Sequence, residues 1–248
     1  AGMQKYLREL EPSTFEDLIA MNALYRPGPM DYIPDFIDRK QGRKPIEYDI
    51  PVMEKYLKDT YGITVYQEQV MRALNYAGID MAECYTAIKN IAKKRAEKVL
   101  AYKDVFITGF RESIIREENK PEDDAQKLAE SLWQVIEDSA GYSFNASHSY
   151  CVALDSLYGA WLKAHHPLAF YETYICLMEE KGDKDKINAA KEEAESYFGI
   201  RFAPLRFRQD NRTIHANKAA NEMINTMGSI KGYGVTIGRT LYECGKHQ

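Results

Sequence analysis

From Phe15 to Phe198 apolar residues return every three or four positions, and the runs are cut by prolines and glycines. That spacing puts apolar side chains on one face of successive helices, so the chain is constrained to a mainly α fold. Ser13-Thr14-Phe15-Glu16 resembles a capping box and opens the first stripe, Phe15, Leu18, Ile19 and Leu24. Arg26-Pro27-Gly28-Pro29 ends it, because neither proline has an amide hydrogen to donate and glycine permits a sharp turn. Short helices are expected over 34–40 and from Pro51, a long one over 96–116, and another from Pro121 with Leu128, Leu132, Val135 and Ile136 inward. Residues 141–149, rich in glycine and polar side chains, read as a loop. A stripe from Cys151 to Leu162 then runs until His165-His166-Pro167, and two further helices follow over 167–178 and 185–198. After Gly199 the helical period is lost, and short strands or turns are expected over 201–204, 213–216 and 224–230. The expected architecture is a multi-helix domain over residues 1–198 and a small mixed α/β tail over 199–248.

Residues 60–102 are the stretch around which the rest is organised. Gly62 punctuates its start, Ile63 to Tyr66 is a brief extended piece, and from Gln67 the pattern turns helical with Val70, Met71 and Leu74 on one face. Asp80 followed by Glu83 marks another helix start. Lys89, Lys93 and Lys94 then fall on adjacent positions of one helical face, with Arg95 beside them. Such a cluster repels itself unless something negative lies against it. It is either a solvated face or a phosphate-binding one.

The formal net charge of −4 argues against a generic nucleic-acid coat. Its distribution is bipolar. Acidic residues crowd 112–124 and 179–195, and basic ones crowd 39–44 and 89–103. No apolar run approaches the length of a membrane span, and no signal peptide opens the chain. The chain begins Ala1-Gly2 and is expected to be a piece of something longer. Cys84, Cys151, Cys176 and Cys244 form no Cys-x-x-Cys pair, and His148 with Cys151 lacks the other ligands of a zinc site. Cys151 and Cys176 sit on apolar helical faces and are expected to be buried thiols, a usage that fits a reducing compartment and a cytoplasmic protein.

Two-metal phosphoryl transfer needs carboxylates converging on metal ions. Asp35 and Asp38 are spaced for helix capping or solvation, and Asp183-Lys184-Asp185 lies in a polar loop and reads as a helix cap. Neither a phosphate-cradling Gly-x-x-x-x-Gly-Lys-Ser/Thr loop nor a Ser-His-Asp signature is present. The hairpin Ile230-Lys231-Gly232-Tyr233-Gly234-Val235 has two glycines that let backbone amides approach a phosphate, and an ordinary turn fits it equally.

Five motifs carry a resemblance. They are Ala23-Leu24-Tyr25-Arg26-Pro27-Gly28-Pro29-Met30, Asp35-Phe36-Ile37-Asp38-Arg39-Lys40, and Thr60-Tyr61-Gly62-Ile63 running to Tyr66-Gln67-Glu68-Gln69-Val70-Met71. Gly141-Tyr142-Ser143-Phe144-Asn145-Ala146-Ser147-His148-Ser149 and Trp161-Leu162-Lys163-Ala164-His165-His166-Pro167 complete the series. Their order and intervals resemble the fingers domain of the bacterial replicative DNA polymerase III alpha subunit, the C-family polymerase, over nearly the whole chain. The resemblance implies a DNA-directed DNA polymerase whose catalytic aspartates and Mg2+ lie in a palm domain outside this segment, so the segment alone is expected to be inactive. It implies binding of the incoming dNTP and of template-primer DNA by Arg26, Gln67, Gln69, Lys89, Lys93, Lys94, Arg95, Asn145, Ser147 and His148. It also implies that Lys231, Gly232 and Gly234 meet a duplex backbone, at the start of a truncated helix-hairpin-helix region over 199–248. The implied partners are the palm and duplex-binding domains of the same chain, the sliding clamp and other replisome subunits, with no membrane.

The chain departs from the family pattern at three places. Ile88-Lys89-Asn90-Ile91-Ala92 stands where the family usually has Arg-Arg-Ala-Met-Gly, Ala146 where it has Lys, and Val152 where it has Tyr. A non-catalytic helical nucleic-acid-binding module, using the same basic face, is the alternative reading. A helical interaction scaffold with solvated charge runs is the third.

Overall fold

The computed structural model describes residues 2–48, 50–205, 211–227, 230 and 235–245. These build twelve α-helices and one three-stranded mixed sheet, so the chain is mainly α with a small α/β tail. They fall into two compact units, Ala1–Leu154 and Asp155–Gln248.

The first unit contains α1 (Gly2–Leu10), α2 (Phe15–Leu24), α3 (Ile33–Lys40), α4 (Pro51–Leu57), α5 (Gln67–Tyr76), α6 (Met81–Ala92), α7 (Ala96–Glu118), α8 (Glu122–Ser139) and the start of α9 (Ala146–His165). The capping box at α2 forms as the sequence requires, but its returning carboxylate is Asp17, three residues after Thr14. Asp17 is fully buried and accepts from the Ser13 and Thr14 amides at 2.9 and 3.2 Å and from the Tyr61 hydroxyl at 2.7 Å. A buried carboxylate is tolerated because donors surround it, with Lys40 a further 3.7 Å away. Loss of water and this bond to Asp17 together raise the Tyr61 phenol's pKa.

Two apolar clusters fill the unit. One joins Leu10, Met21, Leu24, Ile33, Phe36, Ile63 and Val65. The other joins α4 to α8 through Val70, Leu74, Ile88, Phe106, Phe110, Ile114, Trp133 and Ile136. The Phe106 ring stacks on Phe110 at 5.1 Å and tilts against Trp133 at 5.5 Å. Leu132, Trp133 and Ile136 occupy the inner face of α8, which leaves Val135, expected inward, 44% exposed.

Where α7 crosses the end of α5 the backbones nearly touch. A Cβ built on Gly109 would overlap the carbonyl oxygen of Ala77, and nearby Ser113 donates to Tyr76 O at 3.2 Å. An exposed helical Gly→Ala exchange gains about 1 kcal/mol. Gly109→Ala should do the reverse and destabilise by about 2 kcal/mol net, because a backbone carbonyl cannot rotate away from the added methyl. Urea unfolding of the two proteins checks the sign.

The second unit holds the rest of α9 with α10 (Pro167–Lys181), α11 (Lys184–Phe198), β1 (Arg201–Ala203), β2 (His215–Asn217), β3 (Glu222–Ile224) and α12 (Val235–Gly245). β3 is central, parallel to β1 with Arg201 opposite Glu222 and antiparallel to β2 with Ala216 opposite Met223. Tyr171, Ile175, Ala190, Ala194, Ile200, Ile214 and Met223 form one core, so α10 and α11 pack with the sheet. Gly199, at φ 61°, ends α11 and marks the change from helix to sheet, while the compact units divide inside α9.

Three further local expectations need correction. The loop expected over 141–149 ends early, because α9 begins at Ala146. Cys151 is exposed, since Ser149 and Ala153 define the buried line of α9 and Cys151 falls opposite; Cys176 is half-buried. The run from Lys89 to Arg95 is not one helical face, because α6 stops at Ala92.

Candidate functional site

Extended residues 65 and 66 lead into α5, which Gln67 opens, and residues 142–148 lie beside them. Tyr66 and Phe144 form an isolated parallel bridge. Phe144 N–H donates to Val65 O at 3.0 Å and Gln67 N–H donates to Phe144 O at 2.9 Å. Arg26, from the turn after α2, closes over this pairing. Its Nε donates to Ala23 O at 2.8 Å, its Nη2 donates to Tyr142 O, and the guanidinium sits 4.6 Å from the centroid of Phe144. Partial burial lowers the guanidinium's pKa, but a guanidinium is not deprotonated in proteins and the group stays charged. Two of its five donors are engaged in these bonds. The turn itself needs glycine: Gly28 has φ 98°, and a Cβ there would come within 2.8 Å of the Tyr142 ring.

Asn145 then caps α9. Its Oδ1 accepts from His148 N at 2.9 Å and its carbonyl accepts from Ser149 N at 3.2 Å. The His148 imidazole lies 5.6 Å from the Phe144 ring and is exposed, as is Ser147 on the same first turn. Ser149 points inward and donates to Ile19 O at 2.6 Å. Of the residues singled out in the sequence, Arg26, Gln67, Asn145, Ser147 and His148 are therefore brought to one place.

Gln69 is a neighbour with a different disposition. It is 7% exposed and fully used. Its Oε1 accepts from Val65 N and Tyr66 N at 2.8 and 2.9 Å, and its Nε2 donates to Thr60 Oγ1 and Tyr56 O at 2.8 and 3.2 Å. Gln69 thus holds the extended piece that carries Phe144.

Lys89 lies in the last turn of α6, and Lys93, Lys94 and Arg95 form the turn between α6 and α7. Lys94 N–H donates to Ile91 O at 2.9 Å and Arg95 N–H to Asn90 O at 3.2 Å, with Lys94 at φ 50°. This is a Schellman ending with lysine in the left-handed position that glycine usually takes. Arg95 Nη1 also donates to the buried Asn90 Oδ1 at 3.2 Å, and Lys89 Nζ lies 4.2 Å from the Tyr85 centroid. Lys89, Lys93 and Lys94 are exposed, and among the described residues no carboxylate pairs with any of the four cations. No hydrogen bond, ion pair or ring interaction among the described residues joins this turn to Arg26 or to residues 145–148. Ile88, where the family pattern has arginine, is buried in the core.

The carboxylates noted in the sequence have other work. Asp35 pairs with Lys44 at 2.6 Å and Arg39 at 2.8 Å, and the Lys44 bond above all holds its carboxyl below the usual range. Asp38 pairs with Arg43 at 2.7 Å, and Asp183 caps α11 by accepting from Lys186 N at 3.2 Å. Among the described residues no group of three His, Cys, Asp or Glu side chains is placed to hold a metal. Lys231, Gly232 and Gly234 lie outside the described residues.

Sequence reasoning missed Glu68, Tyr142 and Phe144 as parts of the site. Both Glu68 carboxylate oxygens accept from Ala146 N, at 3.1 and 3.2 Å. The available signal was position alone, since Glu68 stands between Gln67 and Gln69. Beside the clasp is a cavity of about 190 Å³, whose walls include Pro29, Tyr32, Val65, Asp138 and Tyr142.

Residues 1–113 match the family model described as "Bacterial DNA polymerase III alpha subunit finger domain". The chain is also similar to curated proteins named DNA polymerase III subunit alpha. It is 36% identical to that of Aquifex aeolicus (strain VF5) over 248 residues, covering 99% of this chain and 20% of that protein. Identity to the Bacillus subtilis (strain 168) protein is 34% over 252 residues, covering 100% of this chain and 21% of that protein. For Thermus aquaticus it is 34% over 249 residues, covering 98% and 19%. The chain thus spans about a fifth of the length of these relatives.

Proposed function

Because the chain belongs to the bacterial DNA polymerase III alpha-subunit family, matching its fingers domain, we propose that it binds the incoming dNTP and template-primer DNA during template-directed nucleotidyl transfer. The observation that carries this reading is the clasp of Arg26 on residues 142–148. Three separated motifs meet there, and a charged guanidinium keeps unengaged donors over the Phe144 ring, which the exposed His148 imidazole also neighbours. Positioned cations of this kind stabilise charge on a transferring phosphoryl group.

In this reading Arg26, Gln67, Asn145, Ser147 and His148 line the nucleotide side, and Gln69 supports them from within. Lys89, Lys93, Lys94 and Arg95 form a second, phosphate-facing surface toward DNA. Residues 199–248 begin a duplex-binding region, with Lys231, Gly232 and Gly234 at the backbone. The palm of the full-length polymerase supplies the aspartates and Mg2+, so this segment alone extends no primer. The palm, the duplex-binding domain, the sliding clamp and other replisome subunits are its partners, in the cytoplasm. Among the described residues no helix is long and apolar enough to cross a membrane.

The test is nucleotide-dependent tightening of the full-length polymerase on primed DNA. Arg26→Ala should weaken dNTP binding by about tenfold or more, as removal of a charge-assisted hydrogen bond does. An unchanged dNTP affinity in that variant would remove the clasp from the nucleotide site.

A further inference from the structure

We infer that the Glu68 carboxylate is a positioning group that fixes the start of α9, and through it residues 142–148, against the first turn of α5. The inference deepens the nucleotide reading and rests on it for its functional consequence.

The start of α9 presents amides that no helical carbonyl can satisfy. His148 N is met locally by the Asn145 side chain. Ala146 N is met by a carboxylate 78 residues away in sequence. Glu68 therefore does what a local cap cannot: it joins two elements. Asn145 is then held from both sides, by the Phe144 backbone pairing with Val65 and Gln67 on one flank and by the Ala146–Glu68 bond on the other. Adjacent residues of α5 divide the work. Gln69 turns inward and holds residues 65 and 66, while Glu68 reaches across to α9. A negative charge at that end of a 20-residue helix is favoured by the aligned peptide dipoles.

The chemistry specifies which variant should rescue. Both carboxylate oxygens share one amide hydrogen, so a single acceptor oxygen is enough. Glutamine supplies one and alanine none. In the full-length polymerase, Glu68→Ala should raise hydrogen exchange of peptides covering residues 142–149 about fivefold to tenfold, as loss of one anchoring bond permits local opening. Peptides from α7 and α8 should exchange as in the parent, which certifies the fold. The KM for dNTP should rise with kcat held within about twofold, the signature of lost positioning in binding rather than lost chemistry. Glu68→Gln should restore both readouts. Unchanged exchange in Glu68→Ala, or Glu68→Gln behaving like alanine, overturns the inference. Raised and glutamine-rescued exchange with an unchanged KM upholds the positioning role and shows instead that the nucleotide reading of this segment is wrong.

Discussion

Replacing Lys89, Lys93 and Lys94 together by alanine should cost the full-length polymerase roughly 50–100-fold in affinity for primed DNA at about 0.1 M salt, if two of the three meet phosphates. The α6–α7 turn is suited to this. Its ammonium groups are exposed and lack carboxylate partners among the described residues, with Lys93 and Lys94 on the Schellman ending and Lys89 one turn earlier on α6. Like charges so placed are tolerable in water and favourable against a polyanion. Each neutralised phosphate releases about 0.9 counterion, so the plot of log affinity against log salt should become shallower by about one unit for every phosphate that is no longer met. Arg95 is left in place because its guanidinium satisfies the buried Asn90, and its removal would mix folding with binding. The unfolding midpoint should fall only slightly, because none of the three ammonium groups makes an ion pair among the described residues and the Lys89 contact with the exposed Tyr85 ring contributes about 0.5–1 kcal/mol. A salt slope equal to the parent's would identify the turn as a solvated charge run.

The second large effect is on folding. Gln69→Ala should destabilise the protein by about 3 kcal/mol, since it leaves buried backbone donors without acceptors and the gain from truncation is small. The amides of Val65 and Tyr66 lose their partner, and the Tyr56 carbonyl and Thr60 hydroxyl lose a donor. Gln69→Glu should fall between, keeping the acceptor and losing the two donated bonds. Because residues 65–67 carry the pairing with Phe144, weakened dNTP binding should accompany the lower stability. Chemical denaturation of the two variants measures the first effect. A loss below about 0.5 kcal/mol, typical of a surface exchange, would show that the four bonds are not holding the segment.

Much of the site was legible as motifs and little of it as roles. The Arg26-Pro27-Gly28-Pro29 turn announces itself, because proline and glycine restrict the backbone wherever they occur. That the turn delivers Arg26 to Tyr142 O and Phe144 was not legible, since the partners are 116 and more positions away. Gln67 and Gln69 are alike in sequence. One opens α5 beside Phe144, and the other is consumed inside the fold. Glu68 stands between them, and nothing in the local spacing marks it as the acceptor for the Ala146 amide. The basic run shows the opposite error. Helical periodicity carried straight through Lys93 and Lys94, because no glycine or proline marks the end of α6, and lysine itself takes the left-handed position.

The sequence by itself determined the mainly α class, most helix starts and stops, and the family. The class and the helix ends depend on local rules: apolar spacing, caps such as Asp183, and residues that cannot continue a helix; the family rests instead on the resemblance carried by five motifs in order. Tertiary structure alone decided which face of α9 is buried, that α10 and α11 share a core with the sheet, and that Asp17 is closed in by Tyr61 and Lys40. It also decided that residues 142–148 are pinned between Arg26, residues 65–67 and Glu68. The physical reason is the same in each case. A buried polar group or an apolar face is satisfied by whatever the fold brings to it, and a partner 78 or 116 residues distant leaves no trace in local spacing.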